Sequence, residues 1–553
     1  MDFSKSIVTA LKKKVKGDIV LEVPPNPEWG DYAFACFRLA SEQKKKPHEA
    51  ALELSSELDI KGMSVDAKGP YVNFFLDRTG IAQDVLKAVS SDKNFGQLHQ
   101  KGTIVIDYSQ PNVAKHMGVH NMRSTVIGGS LYRIYSFAGH KTIGVNYIGD
   151  WGTNFGQLII AAQKWSSPTK IKKDGVKELN RIYVKFHEEA EKDPVLQEIA
   201  RAAFKDLEDG DKKSVELWEL FKEVSLKDYK RIYDMIGVTF DSFDGEAIAV
   251  KDVPKTIKLL EKERIVKKDD GALIVDFKDV MPPCLILKSD GASTYAARDI
   301  AAFLTRLKKY KPKKVLYVVD IAQKLHFEQV FGSLKKLDKK YADIGEHIIF
   351  GRMRFPDKSM STRKGNIIIF EDVLNKAIGK VEKIIAEKNP HLKNKKEVAR
   401  QVGIGAIIFN DLFSDRINNI TFEWDRILDF EGDTGPYIQY AYARCSSILR
   451  KYGKPVHTKV VYELLTEDAE TALIKLLGNF DDIIAEAISR NRPSVVARYT
   501  MDLARTFNSF YRCCPVVGDD IDVTHARVLL VSCTKQVLGK ALELLLMEHP
   551  EEM

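Results

Sequence analysis

Two stretches of this chain gather side chains that could act on a polyphosphate. The first, DYSQPNVAKHMGVHNMRST (107–125), sets Asp107, Lys115, His116, Gly118, His120 and Arg123 between a short apolar run and a helix-forming one. Helix N-terminal N–H groups and a lysine suit a triphosphate, and ligands of open α/β sheets bind outside the carboxyl ends of strands. The same residues also read as a polar βα loop with solvated histidines. The second stretch, FPDKSMSTRKGN (355–366), places Lys358, Arg363 and Lys364 among small hydroxylated residues. Such a loop could close on a pyrophosphate and stabilise charge growing there in the transition state, or be solvated surface. Neither GxxxxGK(S/T) nor GxGxxG occurs, so the two commonest phosphate signatures are absent.

The elements that must position these loops follow from periodicity. TIVIDY (103–108) reads as a buried strand, and Ile127, Leu131 and Ile134 share one face of the helix after it, which Gly139 closes. KTIGVNY (141–147) follows at once, and strand, crossover helix, strand is the unit of a parallel sheet. Amphipathic helices marked by Leu179, Ile182, Tyr183 and Phe186, and by Trp218, Phe221, Tyr229 and Ile232, interrupt the pattern. CLILKS (284–289) and VLYVVD (315–320) then resume the sheet. The expected fold class is α/β, a Rossmann-like parallel-sheet domain over 96–424 with a helical insertion at about 158–280. A small α+β unit, 1–95, precedes it, with YVNFFL (71–76) alternating as a strand. An all-α bundle, 425–553, follows, with stripes at Leu473, Leu476, Leu477, Phe480, Ile484 and Ala487 and at Leu530, Cys533, Val537, Ala541 and Leu544.

Composition excludes several classes. Among 553 residues, Lys plus Arg is 85 and Asp plus Glu 77, and the net +8 permits a nucleic-acid face without demonstrating one. A 44% hydrophobic and 29% charged balance argues against wholesale disorder. The six cysteines form no CxxC pair, which leaves a zinc knuckle or a redox motif without support; no metal-ligand set is expected. MDFSKSIVTALKKKVKG lacks the apolar stretch of a signal peptide, and no run of about 18 apolar residues occurs. A cytoplasmic protein without membrane contact is expected.

At the level of longer motifs, the chain resembles the arginyl-tRNA synthetases, class I aminoacyl-tRNA synthetases. The resemblance rests on Ser109–Asn112 as SxPN, Ala114–Lys115, Arg123-Ser124-Thr125 and GDWGTNFG (149–156). It continues through TYAARD (294–299), AQKLHF (322–327), MSTRKGN (360–366), GDTGPYIQYAYAR (432–444) and the terminal LELLLMEHPEEM (542–553). GDYAF (30–34) and GPYVNF (69–74) resemble the family's extra N-terminal tRNA-binding domain.

The resemblance implies an enzyme that activates L-arginine with ATP and magnesium to arginyl-adenylate. It would then pass arginine to the terminal adenosine of tRNA-Arg, needing bound tRNA for efficient activation and acting as a monomer. Asp107, Asn112, Tyr295, Asp299 and Gln323 fall on the family's arginine-pocket positions. A planar, always charged guanidinium needs such carboxylates and acceptors. His116, Gly118, Asn121, Gly149, Asp150, Trp151, Gly152, Met360 and Ser361 fall on the ATP site, and Lys115, His120, Lys358 and Arg363 on its catalytic cations. The usual His-x-Gly-His signature reads Gly118-Val119-His120-Asn121, so His116 or His120 is expected to replace the missing histidine at ATP. In the second loop the lysine stands one place early, at Lys358, and Lys115 is expected to compensate. Tyr437, Gln439, Tyr442 and Arg444 are candidates for contacting tRNA from the anticodon-binding bundle, as stacking or hydrogen-bonding groups or as packing residues. A cysteinyl enzyme and a synthetase-like tRNA binder without aminoacylation activity are the competing readings. The first would normally hold a zinc through Cys and His ligands, for which no cluster is present.

Overall fold

The strand Thr103–Asp107 lies at the centre of the computed structural model, which describes residues 3–278, 280–354 and 368–553. It is flanked by Lys141–Val145 on one side and Lys314–Asp320 on the other, with Gly345–Phe350 beyond, all parallel. Alternation along the central strand sends Ile104 and Ile106 to one face and Val105 to the other. The first face is covered by the crossover helix Val119–Phe137, whose opposite side packs on the C-terminal helices in one continuous core. The second is covered by Tyr295–Tyr310 and Lys324–Leu337, through Ala297, Ile300, Phe303 and Phe327. In register, Asp107 lies opposite Tyr317 and Val145.

One sheet assignment changes. Cys284–Leu287 is not a member of the parallel sheet but the edge of an antiparallel one, order Lys267–Asp269, Ala272–Val275, Cys284–Leu287. A short buried run does not reveal its partner from periodicity. The local signal lay in Asp270-Gly271, both at positive φ (44° and 79°), a two-residue turn whose twist suits a hairpin. The fourth parallel strand is Gly345–Phe350, outside the strands read from the sequence.

Five helices from Thr153–Trp165 to Lys212–Met235 build the insertion around its own core of Leu158, Ile159, Leu179, Ile182, Phe186 and Phe221. The N-terminal unit is a three-stranded antiparallel sheet with Tyr71–Leu76 in the middle, backed by Phe3–Lys12, Phe37–Gln43 and Pro47–Glu57. Its following helix, Arg78–Ser91, lies on the C-terminal bundle, where Gln536 donates to the carbonyls of Val89 (2.9 Å) and Asp92 (2.8 Å).

The helical region begins before 425: Phe370–Lys388 and Lys395–Phe413 pair and carry the bundle's core into the catalytic domain. The bundle proper comprises Gly435–Tyr452, Asp468–Gly478, Phe480–Arg490, Pro493–Cys513 and Ile521–Leu544. The continuous stripe expected from Leu473 to Ala487 is broken at Asn479 into two helices. No helix among the described residues is long and apolar enough to cross a membrane.

Candidate active site

The loop after the central strand bends through Ser109, Gln110 and Ala114, three non-glycine residues at positive φ (74°, 51° and 68°). Such conformations persist only where surrounding contacts over-determine them, and they cluster at functional sites. Here the Ser109 N–H donates to Ser124 Oγ (2.9 Å), and Ser109 Oγ shares hydrogen bonds with Tyr233 (2.7 Å) and Thr125 (2.8 Å). Asn146 joins the network, donating to Tyr233 (2.9 Å) and accepting from the Gln110 N–H (3.2 Å). Tyr229 donates to the carbonyls of Asn112 (2.6 Å) and Lys115 (2.8 Å), and Ser225 accepts from the Ala114 N–H (2.9 Å). Ser225, Tyr229 and Tyr233 recur every fourth residue on Lys212–Met235, so one face of an insertion helix buttresses the loop. Tyr229, which marks an amphipathic helix in the sequence, lies in the core and turns its hydroxyl to the loop.

Beside this loop the acids and bases converge. Asp107, 1% exposed, has Oδ2 in an ion pair with Arg306 Nη2 (2.7 Å), while Oδ1 accepts from Gln110 (2.8 Å). Asp299 Oδ2 lies 2.6 Å from His326 Nε2. Glu246 pairs with Arg298, whose guanidinium lies over the Tyr295 ring at 4.8 Å. Burial raises the Asp107 carboxyl, Arg306 opposes the rise, and Asp299 adds to it. Burial, then Asp299, Glu246 and Asp107, push the Tyr147 phenol well up. The Asp299 charge therefore reaches both Asp107 and Tyr147. Glu246 is pushed up to about 7, by burial first, with Arg298 opposing and Asp299 and Asp150 adding repulsion. Asn112, Gln323 and Tyr295 are exposed, Tyr295 by 64%. Sequence reading missed Arg306, Tyr147, Glu246, Arg298 and the pairing role of His326.

The expected ATP residues divide. Lys115 is half-buried, with Nζ 5.4 Å from the Tyr183 ring centroid, and desolvation lowers its pKa. His120 is exposed; desolvation by its surroundings and the Lys115 charge lower its imidazole, while Asp320 opposes them. His116 is half-buried near Glu371, which pairs with Arg231. Gly118 caps the helix Val119–Phe137.

Three of the expected ATP residues are engaged by partners within the protein. The Asn121 oxygen accepts from the Gly118 N–H (3.3 Å), closing a capping box, and its amide nitrogen makes one long contact with the Ser109 carbonyl (3.5 Å). Asp150 is fully buried and spoken for: Lys222 at 2.7 Å, the Ala247 N–H at 2.9 Å. Trp151 packs edge-on against Phe204 and Trp218 in the insertion. The GDWG run thus ties the helical insertion to the parallel-sheet part of the same domain. Gly149 fits the nucleotide loop for a local reason: it pairs with Asn112, and a Cβ there would lie 2.1 Å from Asn112 Oδ1. Gly152 caps the helix Thr153–Trp165.

Lys358, Met360, Ser361 and Arg363 lie outside the described residues. Both flanks of that segment are anchored. Met353–Arg354 pairs with Ile420–Thr421, while the Val119 N–H donates to the Ile368 carbonyl (3.0 Å) and the Phe370 N–H to the Met117 carbonyl (2.9 Å). Among the described residues no group of three or more His, Cys, Asp or Glu side chains is gathered for a metal ion.

In the bundle, two RNA candidates are packing residues. Gln439 is fully buried, donating to the carbonyls of Gln401 (3.0 Å) and Glu548 (2.7 Å). Tyr442 is buried and donates to Glu551 (3.2 Å) with its ring against His549. A quarter-turn away the surface differs: Arg444 sits between the rings of Tyr440 and Tyr511 (4.7 and 4.9 Å), which are 41% and 43% exposed. Tyr437 is half-buried at the helix start. In the N-terminal unit a concavity of about 430 Å³ is lined by Trp29, Tyr71, Asn73 and Lys68 together with Pro24 and Pro25.

Comparisons with known proteins give three family matches along the chain. Residues 84–424 match the family model for the catalytic domain of class I (R) tRNA synthetases, 438–553 the DALR anticodon binding domain, and 1–76 the arginyl tRNA synthetase N-terminal domain. The chain is 43% identical to an arginine–tRNA ligase of Clostridium botulinum (strain Langeland) over 564 residues, covering all of both chains. It is 42% identical to that of Clostridium kluyveri over 571 residues, again covering both completely. Among solved structures, Thermus thermophilus arginyl-tRNA synthetase superposes with a TM-score of 0.83 at 26% identity, covering 99% of each chain. The Plasmodium falciparum enzyme shares the fold, with a TM-score of 0.81 at 23% identity over 100% of this chain and 98% of that one.

Proposed function

The chain belongs to the arginyl-tRNA synthetase family, and from that premise we propose how its own residues carry the reaction. It is an arginine–tRNA ligase. The arginine carboxylate attacks the α-phosphorus of ATP and pyrophosphate leaves; a ribose hydroxyl of the terminal adenosine then attacks the arginyl carbonyl and AMP leaves. The observation that carries the activity is a match running the full length of both chains at 43% identity.

The residue roles are our own reading. Asp299, held by His326 and reachable from the cleft, takes the substrate guanidinium, with Tyr295, Gln323 and Asn112 at the mouth completing its hydrogen bonds. The triphosphate lies at the start of Val119–Phe137, where the positive end of the helix dipole, Lys115 and an exposed His120 meet. Magnesium accompanies ATP and is bound through its phosphates. The tRNA is held by Tyr440, Arg444 and Tyr511 on the bundle, and the N-terminal concavity accepts one unstacked base between Trp29 and Tyr71.

The test is charging of tRNA-Arg with labelled arginine, lysine and cysteine, each with and without ATP. ATP-dependent esterification of arginine alone is expected. Folded protein that esterifies none of them, or esterifies cysteine, would overturn the reading.

A further inference from the structure

On Tyr295–Tyr310 the residues Tyr295, Arg298, Asp299, Ala302 and Arg306 share one face, at i, i+3, i+4, i+7 and i+11. Exposure falls along it from 64% at Tyr295, through an 18% exposed Asp299 side chain, to 5% at Arg306. The helix therefore runs from the surface into the interior, and this face ends on a buried guanidinium. That guanidinium lies 5.2 Å from the Tyr147 ring centroid and 5.3 Å from that of Tyr317, within cation–π range of both rings. Its Nη2 lies 2.7 Å from Asp107 Oδ2, and Gln110 holds the other oxygen.

The buried pair needs a reason. Apolar replacement of such pairs is often neutral or stabilising, so stability alone does not explain an arginine here. Both oxygens of Asp107 are already engaged from within the chain, one by the Arg306 ion pair and the other by Gln110, so an incoming arginine finds its position beside Asp107 taken. A second guanidinium next to Arg306 would also be repelled unless the first is neutralised. The Arg306–Asp107 pair is neutral as a unit, and Asp299 is left as the carboxylate that answers the substrate's charge.

We propose that Arg306 is a positioning residue of the arginine pocket: it fixes the Asp107 carboxylate, closes the floor with a built-in guanidinium, and directs the substrate guanidinium to Asp299. This rests on the pocket reading given above and deepens it.

The experiment uses full-length protein with tRNA-Arg present, measuring ATP–pyrophosphate exchange for Arg306→Lys, Arg306→Ala and Asp299→Asn. Arg306→Lys keeps the charge but loses the fork; KM for arginine should rise about tenfold with KM for ATP within roughly twofold of wild type. Arg306→Ala should lose about a hundredfold or more in kcat/KM for arginine. Added guanidinium, far below denaturing concentrations, should restore part of that loss where ammonium at equal ionic strength does not. Arg306→Lys with an unchanged KM for arginine, while Asp299→Asn raises it strongly, would overturn the proposal and leave the pocket reading standing. An Asp299→Asn variant with an unchanged KM would overturn the pocket reading itself. If Arg306→Ala does not fold, Arg306→Lys decides alone; a folded Arg306→Ala that guanidinium does not restore counts against the proposal.

Discussion

Replacing Asp411 by Leu should destabilise this protein more than most single substitutions, because it strands a buried charge. Asp411 Oδ1 accepts from Arg123 Nε at 2.7 Å, and the two side chains are 0% and 1% exposed. Arg123 also donates through Nη1 to the carbonyls of Gly351 (2.6 Å) and Asn418 (2.9 Å), and it faces the Phe350 ring. It thus joins the nucleotide-loop helix, the helix Lys395–Phe413 and the two segments leading to the paired strands Met353–Arg354 and Ile420–Thr421. Removing one partner of a buried pair costs about 3–5 kcal/mol, since the remaining charge stays desolvated. Two carbonyls still accept from Arg123, which places the cost toward the lower end, about 3 kcal/mol. At an unfolding entropy of about 2.1 cal/mol/K per residue over a domain of roughly 330 residues, the transition should fall by about 4 °C. Urea unfolding followed by tryptophan fluorescence measures this directly. The double variant Arg123→Met/Asp411→Leu should recover most of the stability, because no charge is left buried. It should not recover activation, because the Gly351 and Asn418 carbonyls have lost their donor. A single-variant loss below about 1 kcal/mol, or a double variant worse than the sum of the singles, would refute the reasoning.

Other expectations are as concrete. Lys115→Ala should lose more in adenylate formation than Lys358→Ala, read by pyrophosphate exchange; the opposite ranking would contradict the compensation by Lys115. The Glu246 carboxyl, pushed up to about 7 from an ordinary 4.5, binds its proton more tightly folded than unfolded. Its contribution is therefore full below about pH 4.5 and lost as pH rises through 7, so wild type should weaken relative to Glu246→Gln between pH 5 and 7 and level off above. Parallel stability profiles for the two proteins would be the contrary result. Tyr440→Ala and Tyr511→Ala should each raise KM for tRNA by about fivefold to a hundredfold, the range of one lost stacking contact, whereas Tyr442→Phe should leave it unchanged. A tRNA effect confined to Tyr442 would reverse the assignment.

Much of this protein could be read before any fold was known, and the part that could is local. The strand Thr103–Asp107, the helix whose face carries Ile127, Leu131 and Ile134, and the loop between them follow from short-range periodicity and capping. The long motifs determined the family, since each packs many residue identities into one segment. What the sequence left open depended on segments distant along the chain. Nothing near Asp107 indicates that a guanidinium 199 positions later occupies its carboxylate. Nor does GDWG announce that Asp150 is held by Lys222 and a helix start beyond it. Gln439 and Tyr440 are neighbours of similar polarity, and only the seating of their helix against Gln401 and Glu548 buries one and exposes the other. Backbone geometry is set within a few residues by sterics and hydrogen bonding, whereas the partner of a charge is set by which surfaces exclude water together. That second choice exists only once the tertiary structure has formed.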